Sequence, residues 1–139
     1  MRYLGLDLGS RTLGVSVSDP SGIIASSYGI IRHNEEYDRL IGEIKKIIVE
    51  KEIESIVLGL PKNMNNTIGP KGELSYRFKE MLEKATGLEV HLMDERLTTK
   101  QATDILIMND TSRKKRKKVI DSMAATIILQ SYLDKERKI

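Results

Sequence analysis

Apolar positions follow two periods in this chain. Residues 2–9 form an apolar run with a charge in its middle, and residues 13–19 alternate around Val15 and Val17. Both read as strands. Pro20-Ser21-Gly22 is turn chemistry, and residues 23–31 read as a third strand. Links this short imply an antiparallel meander. The period then changes. Tyr37, Leu40, Ile41, Ile44, Ile47 and Ile48 recur at helical spacing, predicting a helix over 35–52. Residues 55–60 make a short apolar strand ending at Pro61. A second helix is expected over 72–86 with Gly87 as its C-cap, and a fifth strand over 88–93. Thr98 or Thr99 caps a third helix reaching Met108, stopped at Asn109. Residues 110–117 read as a polar, mobile loop, and 118–133 as the last helix. The order βββαβαβα gives an α/β fold: a five-stranded mixed sheet with helices on both faces, its later strands parallel to the first.

Asp7 breaks the apolar pattern of the first strand. A bare carboxylate there is costly without a compensating partner. By the two-residue period it shares a face with Tyr3, Gly5 and Gly9, and the glycines leave room for a helix, a backbone or a phosphate to come close. The plain alternative is an Asp bonded to a turn or paired with a lysine. Asp121 precedes Ala124, Ala125 and Ile128 by three, four and seven positions, which puts it on the stripe that faces the sheet. An Asp in a helical first turn is also explained by the macrodipole alone. Asp94 and Glu95 end the fifth strand and point to opposite faces. Asp94 is in phase with Leu88, Val90 and Leu92, so parity leans toward Asp94 without deciding between them.

Three convergent carboxylates repel one another without a cation. Mg²⁺ or Mn²⁺ prefers such oxygen donors, and a pair of ions suits phosphodiester hydrolysis by an activated water. The chain has no cysteine, which removes disulfides and thiolate sites. His33 and His91 have no zinc-site spacing and are expected to be structural or solvated.

Composition adds a polymer partner. Apolar residues make up 40% and charged residues 31%, ordinary for a globular domain. Arg113, Lys114, Lys115, Arg116, Lys117 and Lys118 carry six positive charges against a formal net charge of +3, so the rest of the chain is net negative. A local basic patch beside an acidic site suits nucleic-acid phosphates, although such a run is also an ordinary solvated loop. Arg11 and Arg96 belong to the same end of the sheet and are further phosphate candidates. One Phe and no Trp make a base-stacking platform a poor reading. No apolar stretch reaches the roughly 18 residues of a membrane span, and the N-terminus lacks a signal-like core. A cytoplasmic protein without membrane partners is expected, as a monomer or weak homodimer.

Asp7-Leu8-Gly9-Ser10-Arg11-Thr12-Leu13-Gly14-Val15, Gly59-Leu60-Pro61, Asp94-Glu95-Arg96-Leu97-Thr98 and Lys118-Val119-Ile120-Asp121-Ser122-Met123-Ala124-Ala125 together resemble the YqgF family, in order and spacing. The resemblance implies an RNase H-like fold related to the Holliday-junction resolvase RuvC, in a single nuclease domain spanning 1–139. It implies a hydrolase that trims the 5′ end of pre-16S rRNA in ribosome biogenesis. Asp7, Glu95 and Asp121 then become the catalytic, metal-binding acids, which selects Glu95 over Asp94. The resolvase branch carries an acid at the end of its fourth strand, where this chain has Gly59-Leu60-Pro61. Structured RNA is therefore the first expected substrate and branched DNA the second. A non-catalytic nucleic-acid-binding module and an actin-like ATP-binding fold are the rival classes. The latter needs two related domains, and 139 residues hold one.

Overall fold

The strands appear in the order β1 (Tyr3–Leu8), β2 (Thr12–Ser18), β3 (Ala25–Arg32), β4 (Ser55–Leu60) and β5 (Val90–Asp94). The helices are α1 (Tyr37–Lys51), α2 (Pro70–Thr86) and α3 (Arg113–Glu136). The computed structural model describes residues 1–61, 67–94 and 113–136, with backbone only for 113–122. Glu95, Arg96, Asn63, Asn65, Asn66 and the helix expected to end at Met108 lie outside the described residues.

The sheet order is β3-β2-β1-β4-β5. β1 pairs antiparallel with β2 and parallel with β4, so the strand carrying Asp7 is central. β2–β3 is antiparallel and β4–β5 parallel, which is the expected mixed sheet. All six residues of β4 are buried, as a strand covered on both faces requires.

Parity divides the core into two layers. Leu4 and Leu6 of β1, Leu13 and Val15 of β2, and Ile56 and Leu58 of β4 pack with Leu40, Ile44, Phe78 and Leu82 of α1 and α2. Val57 packs with Ile128, Leu129, Tyr132 and Leu133 of α3, joined by Tyr3 and Met93. Burying each such leucine contributes about 1.5–3 kcal/mol, and both layers are needed to cover a two-sided sheet. Among the described residues, no helix is long and apolar enough to cross a membrane.

Several boundaries differ from those expected, three of them for a physical reason. β3 begins at Ala25, because the Asp19 carboxylate accepts the amides of Ile23 and Ile24, both at 2.8 Å, and holds them in the turn. α2 begins at Pro70, whose fixed φ suits a first helical position, behind an extended Gly69. The last helix begins at Arg113, not at residue 118. The basic run from Arg113 to Lys118 is thus helical, where a mobile loop was expected. Asp121 consequently lies in the third turn of α3, and a first-turn dipole account of it does not apply.

Candidate active site

Asp7 sits where β1 runs out of partners on one side. Its pairing with β2 continues through Asp7↔Gly14, whereas the parallel pairing with β4 ends at Leu6↔Leu58. The crevice beyond the carboxyl ends of parallel strands is the usual ligand position in such sheets. Asp7 is half-buried there. Among the described residues, no hydrogen bond or ion pair holds its carboxylate.

The helix α3 covers the Asp7 face of β1. Tyr3 meets Tyr132 with ring centroids 5.8 Å apart. At Gly5 the helix comes so close that a Cβ would stand 2.7 Å from Leu129 Cβ and 3.0 Å from the Ala125 carbonyl oxygen. Ser16 Oγ, on the neighbouring strand, donates to that same carbonyl at 2.7 Å. Advancing along β1 from Tyr3 to Gly5 therefore means moving back along α3 from Tyr132 toward Ala125. A two-residue strand step of about 6.6 Å corresponds to just over one helical turn at about 1.5 Å per residue. The next step, to Asp7, reaches the segment around Ala124 and position 121. Ala124 does line the Asp7 cavity.

The described residues enclose about 740 Å³ at this point. The walls include Asp7, Leu8, Gly9 and Ser10 from the first turn, Glu35 and Tyr37, Pro61, and Lys71, Leu74, Arg77 and Met81 from α2. Glu35 has a left-handed backbone, φ 68°, in an acid that lines the cavity. Such a conformation is uncommon for a non-glycine residue and persists only where neighbours enforce it. His33 is the neighbour responsible. It is 4% exposed, and its Nδ1 accepts the Glu35 amide at 2.9 Å. The ring proton then belongs on Nε2, which donates to the Gly9 carbonyl at 2.9 Å. Gly9 N donates to Thr12 O at 2.8 Å, closing the turn that follows Asp7.

His33 is thus structural, as expected, and has no ring nitrogen left for a metal. His91 stacks on Tyr132 at 5.1 Å. Arg11 is exposed and donates to Asn34 Oδ1 at 2.9 Å; it faces a second cleft rather than the Asp7 cavity. Lys71 and Arg77 were not expected at the site. With Leu74 and Met81 they recur every three or four residues, a stripe legible in the sequence. What the spacing lacks is the strand end that the stripe faces.

Of the three expected acids, the side chain of Asp7 alone is described. Asp121 is placed by its helix, and Glu95 is outside. Among the described residues, no three His, Asp or Glu side chains are close enough to hold a metal ion. Among the described residues, the acids that line the cavity are Asp7 and Glu35, with no imidazole or thiolate in its walls. That donor chemistry fits a hard divalent ion.

The sequence matches the family described as "RuvX: Holliday junction resolvase" over residues 1–135. A Listeria monocytogenes protein described as "Putative pre-16S rRNA nuclease" is 53% identical over 139 residues, covering 96% of this chain and 98% of that one. A Leuconostoc mesenteroides protein of the same description is 53% identical over 141 residues, covering 100% and 99%. Among solved structures, T. thermophilus RuvC in complex with Holliday junction substrate superposes with a TM-score of 0.61 at 13% identity, covering 98% of this chain and 96% of that one. The fowlpox virus Holliday junction resolvase gives 0.57 at 13% identity, covering 98% and 99%. At that identity the likeness speaks for the RNase H-like fold alone. With nearly every residue matched by the family and relatives identical at half their positions, this chain belongs to the RuvX family, also called YqgF.

Proposed function

We propose that this chain is a divalent-metal-dependent nuclease of one domain, residues 1–139, that hydrolyses phosphodiester bonds in the 5′ processing of pre-16S rRNA in the cytoplasm. The observation that carries this reading is the Asp7 carboxylate. It is half-buried, lines a cavity, and has no compensating partner among the described residues. A buried-strand acid left so is costly unless its function supplies the partner. The descriptions of the curated relatives direct the substrate toward pre-16S rRNA.

Asp7, Glu95 and Asp121 are the proposed ligands of Mg²⁺ or Mn²⁺. Bound there, the ions would supply an activated water and neutralise charge developing on the phosphodiester. The chain's own contribution is placement. The turn closed by Gly9 and Thr12, braced by His33, fixes the strand end that bears Asp7. Lys71 and Arg77 attract phosphate to the opposite wall. Strand parity argues against Asp94 as the ligand from this strand end. Leu92 packs toward α1 and α2, whereas Met93 packs in the α3 layer, on Asp7's side of the sheet. Asp94 shares the parity of Leu92, which turns it from Asp7's side of the sheet.

A junction-type DNA nuclease is the second reading, favoured by the description of the family. Paired cuts would require a symmetric dimer. The resemblance to the resolvase branch also calls for an acid at the end of β4, and Pro61 lines the cavity there instead. Purified protein should cleave labelled pre-16S leader RNA with Mn²⁺ or Mg²⁺, and lose that cleavage with chelator and in Asp7→Asn. Cleavage of a four-way DNA junction alone would transfer the function to the second reading. If the wild-type protein cuts neither substrate with either metal, the nuclease reading is wrong.

A further inference from the structure

Beside the Asp7 cavity lies a second cleft of about 410 Å³, lined among the described residues by Arg11, Arg32, His33, Asn34 and Arg39, with the Glu36 carboxylate bonded to the Asn34 amide and to Arg39. We propose that Arg11 and Arg32, with Arg39, form a phosphate-binding subsite that holds the backbone of the same nucleic-acid strand beyond the scissile bond. The substrate class rests on the nuclease reading above; the cleft itself does not.

Three elements converge here. Arg11 comes from the turn between β1 and β2, Arg32 ends β3, and Arg39 stands in the first turns of α1. Their roles differ. Arg39 is committed, donating to Glu36 at 3.0 Å and to the Arg32 carbonyl at 2.7 Å, so it fixes the backbone of Arg32 more than it offers charge. Arg11 is held by Asn34. The exposed Arg32 guanidinium has no hydrogen bond or ion pair among the described residues. Isolated surface arginines are ordinary solvated groups. Arg39 already has an anion in Glu36; Arg11 and Arg32, drawn into the same cleft, have no ion pair among the described residues, and the compensating partner they favour is an anion. The planar guanidinium fork matches phosphate geometry.

Connectivity makes that anion part of a polymer. Ser10 lines the acid cavity and Arg11 the arginine cleft; Glu35 lines the former and Asn34 the latter. His33 N donates to Arg11 O at 2.9 Å, and His33 Nε2 donates to Gly9 O, so the two chain segments are bonded into one ridge between the clefts. A strand leaving the Asp7 cavity over that ridge enters the arginines directly. Backbone contacts of this kind position the substrate without reading its sequence.

The test uses fluorescence-labelled leader RNA, without divalent metal, on an Asp7→Asn background where binding is read apart from cleavage. Association constants are measured across a salt series for that parent and for added Arg32→Gln, Arg11→Gln or Lys46→Gln. Lys46 is an exposed α1 lysine outside both clefts and controls for net charge. Arg32→Gln and Arg11→Gln should each weaken binding and flatten the salt dependence by about 0.7 for every phosphate no longer neutralised, with Lys46→Gln unchanged. Slopes that match the Lys46→Gln control, or a parent that does not bind the RNA, would overturn the subsite. Wild-type cleavage in the separate metal assay decides the nuclease reading, so failure of the subsite and failure of that reading stay distinct.

Discussion

His33 Nε2 donates a 2.9 Å hydrogen bond to the Gly9 carbonyl, two residues beyond Asp7. Through its other ring nitrogen the same side chain holds the Glu35 amide. One buried imidazole thus ties the turn after the proposed metal-binding acid to the acid-bearing loop opposite. His33→Ala leaves both backbone groups without their partner, at about 1–3 kcal/mol for each that stays buried. The protein should still fold, with a lower midpoint in urea. Cleavage should fall mainly in kcat, because the Asp7 turn loses its brace while the phosphate-binding arginines remain. His33→Gln restores a donor toward Gly9 and should recover part of the rate. Wild-type kcat in His33→Ala would mean the turn holds its shape unaided.

Gly5→Ala tests how tightly α3 is seated. The new methyl would meet Ser16 Oγ, Leu129 Cβ and the Ala125 carbonyl, two of them rigid parts of the fold. Overpacking of this sort costs about 1–3 kcal/mol, and relief requires α3 to move outward, taking position 121 with it. Stability and metal-dependent cleavage should therefore fall together. Gly42→Ala is the converse. Its Cβ meets nothing within 4 Å in the middle of α1, so it should stabilise by about 0.5–1 kcal/mol and leave activity alone. Thermal melts of the two variants with parallel cleavage assays separate the effects.

The sheet was legible because strand periods are local: Val15 and Val17 set β2, and the unbroken apolar run of β4 fits a strand covered on both sides. Other features depend on bonds and anchoring that the period of apolar positions does not reveal. Ile23 and Ile24 look like strand residues, yet Asp19 captures their amides. The row from Arg113 to Lys118 repels itself at helical spacing and by itself reads as loop. It is helical as the extension of a helix anchored on the sheet by Ala125, Leu129 and Tyr132. At the site, Asp7 stood out because a charge interrupts an apolar strand. Lys71, Arg77, Glu35 and the arginine cleft did not, because only the folded chain brings α2, the β3–α1 loop and the first turn together. The choice of Glu95 comes from the family resemblance, because parity on its own strand leans toward Asp94 and cannot show which sheet face α3 covers.

Asp19 should make stability depend on pH at the acid end. The amides of Ile24 and Ile23 hold its carboxyl below the ordinary value of 3.8, with Ser21 adding a weaker bond against some desolvation. A folded-state value depressed in this way gives stability that is fully present above 3.8 and lost as pH falls through the lowered value. Asp19→Ala should therefore lower Tm near neutrality, and the gap to wild type should close in strongly acidic buffer. A gap that is constant with pH would assign the loss to packing in the turn instead of to the carboxylate's charge.

Metal binding should show in stability independently of cleavage. An ion that binds the folded chain and ignores the unfolded one stabilises by about 2.7 kcal/mol at one hundred times its dissociation constant. The wild-type Tm should accordingly climb as Mn²⁺ or Mg²⁺ is titrated, and return with chelator. Asp7→Asn keeps the size of the side chain and removes the charge. Because that carboxylate has no partner among the described residues, the variant should fold and melt at or above wild type without metal. Its Tm should then stay flat across the titration, since the amide oxygen is a poor substitute for a carboxylate toward a hard cation. An equal metal-induced rise in both proteins would place the ion elsewhere and separate Asp7 from the metal chemistry, whatever the nuclease assay gives. A variant that fails to fold would instead assign Asp7 a structural duty in the first turn.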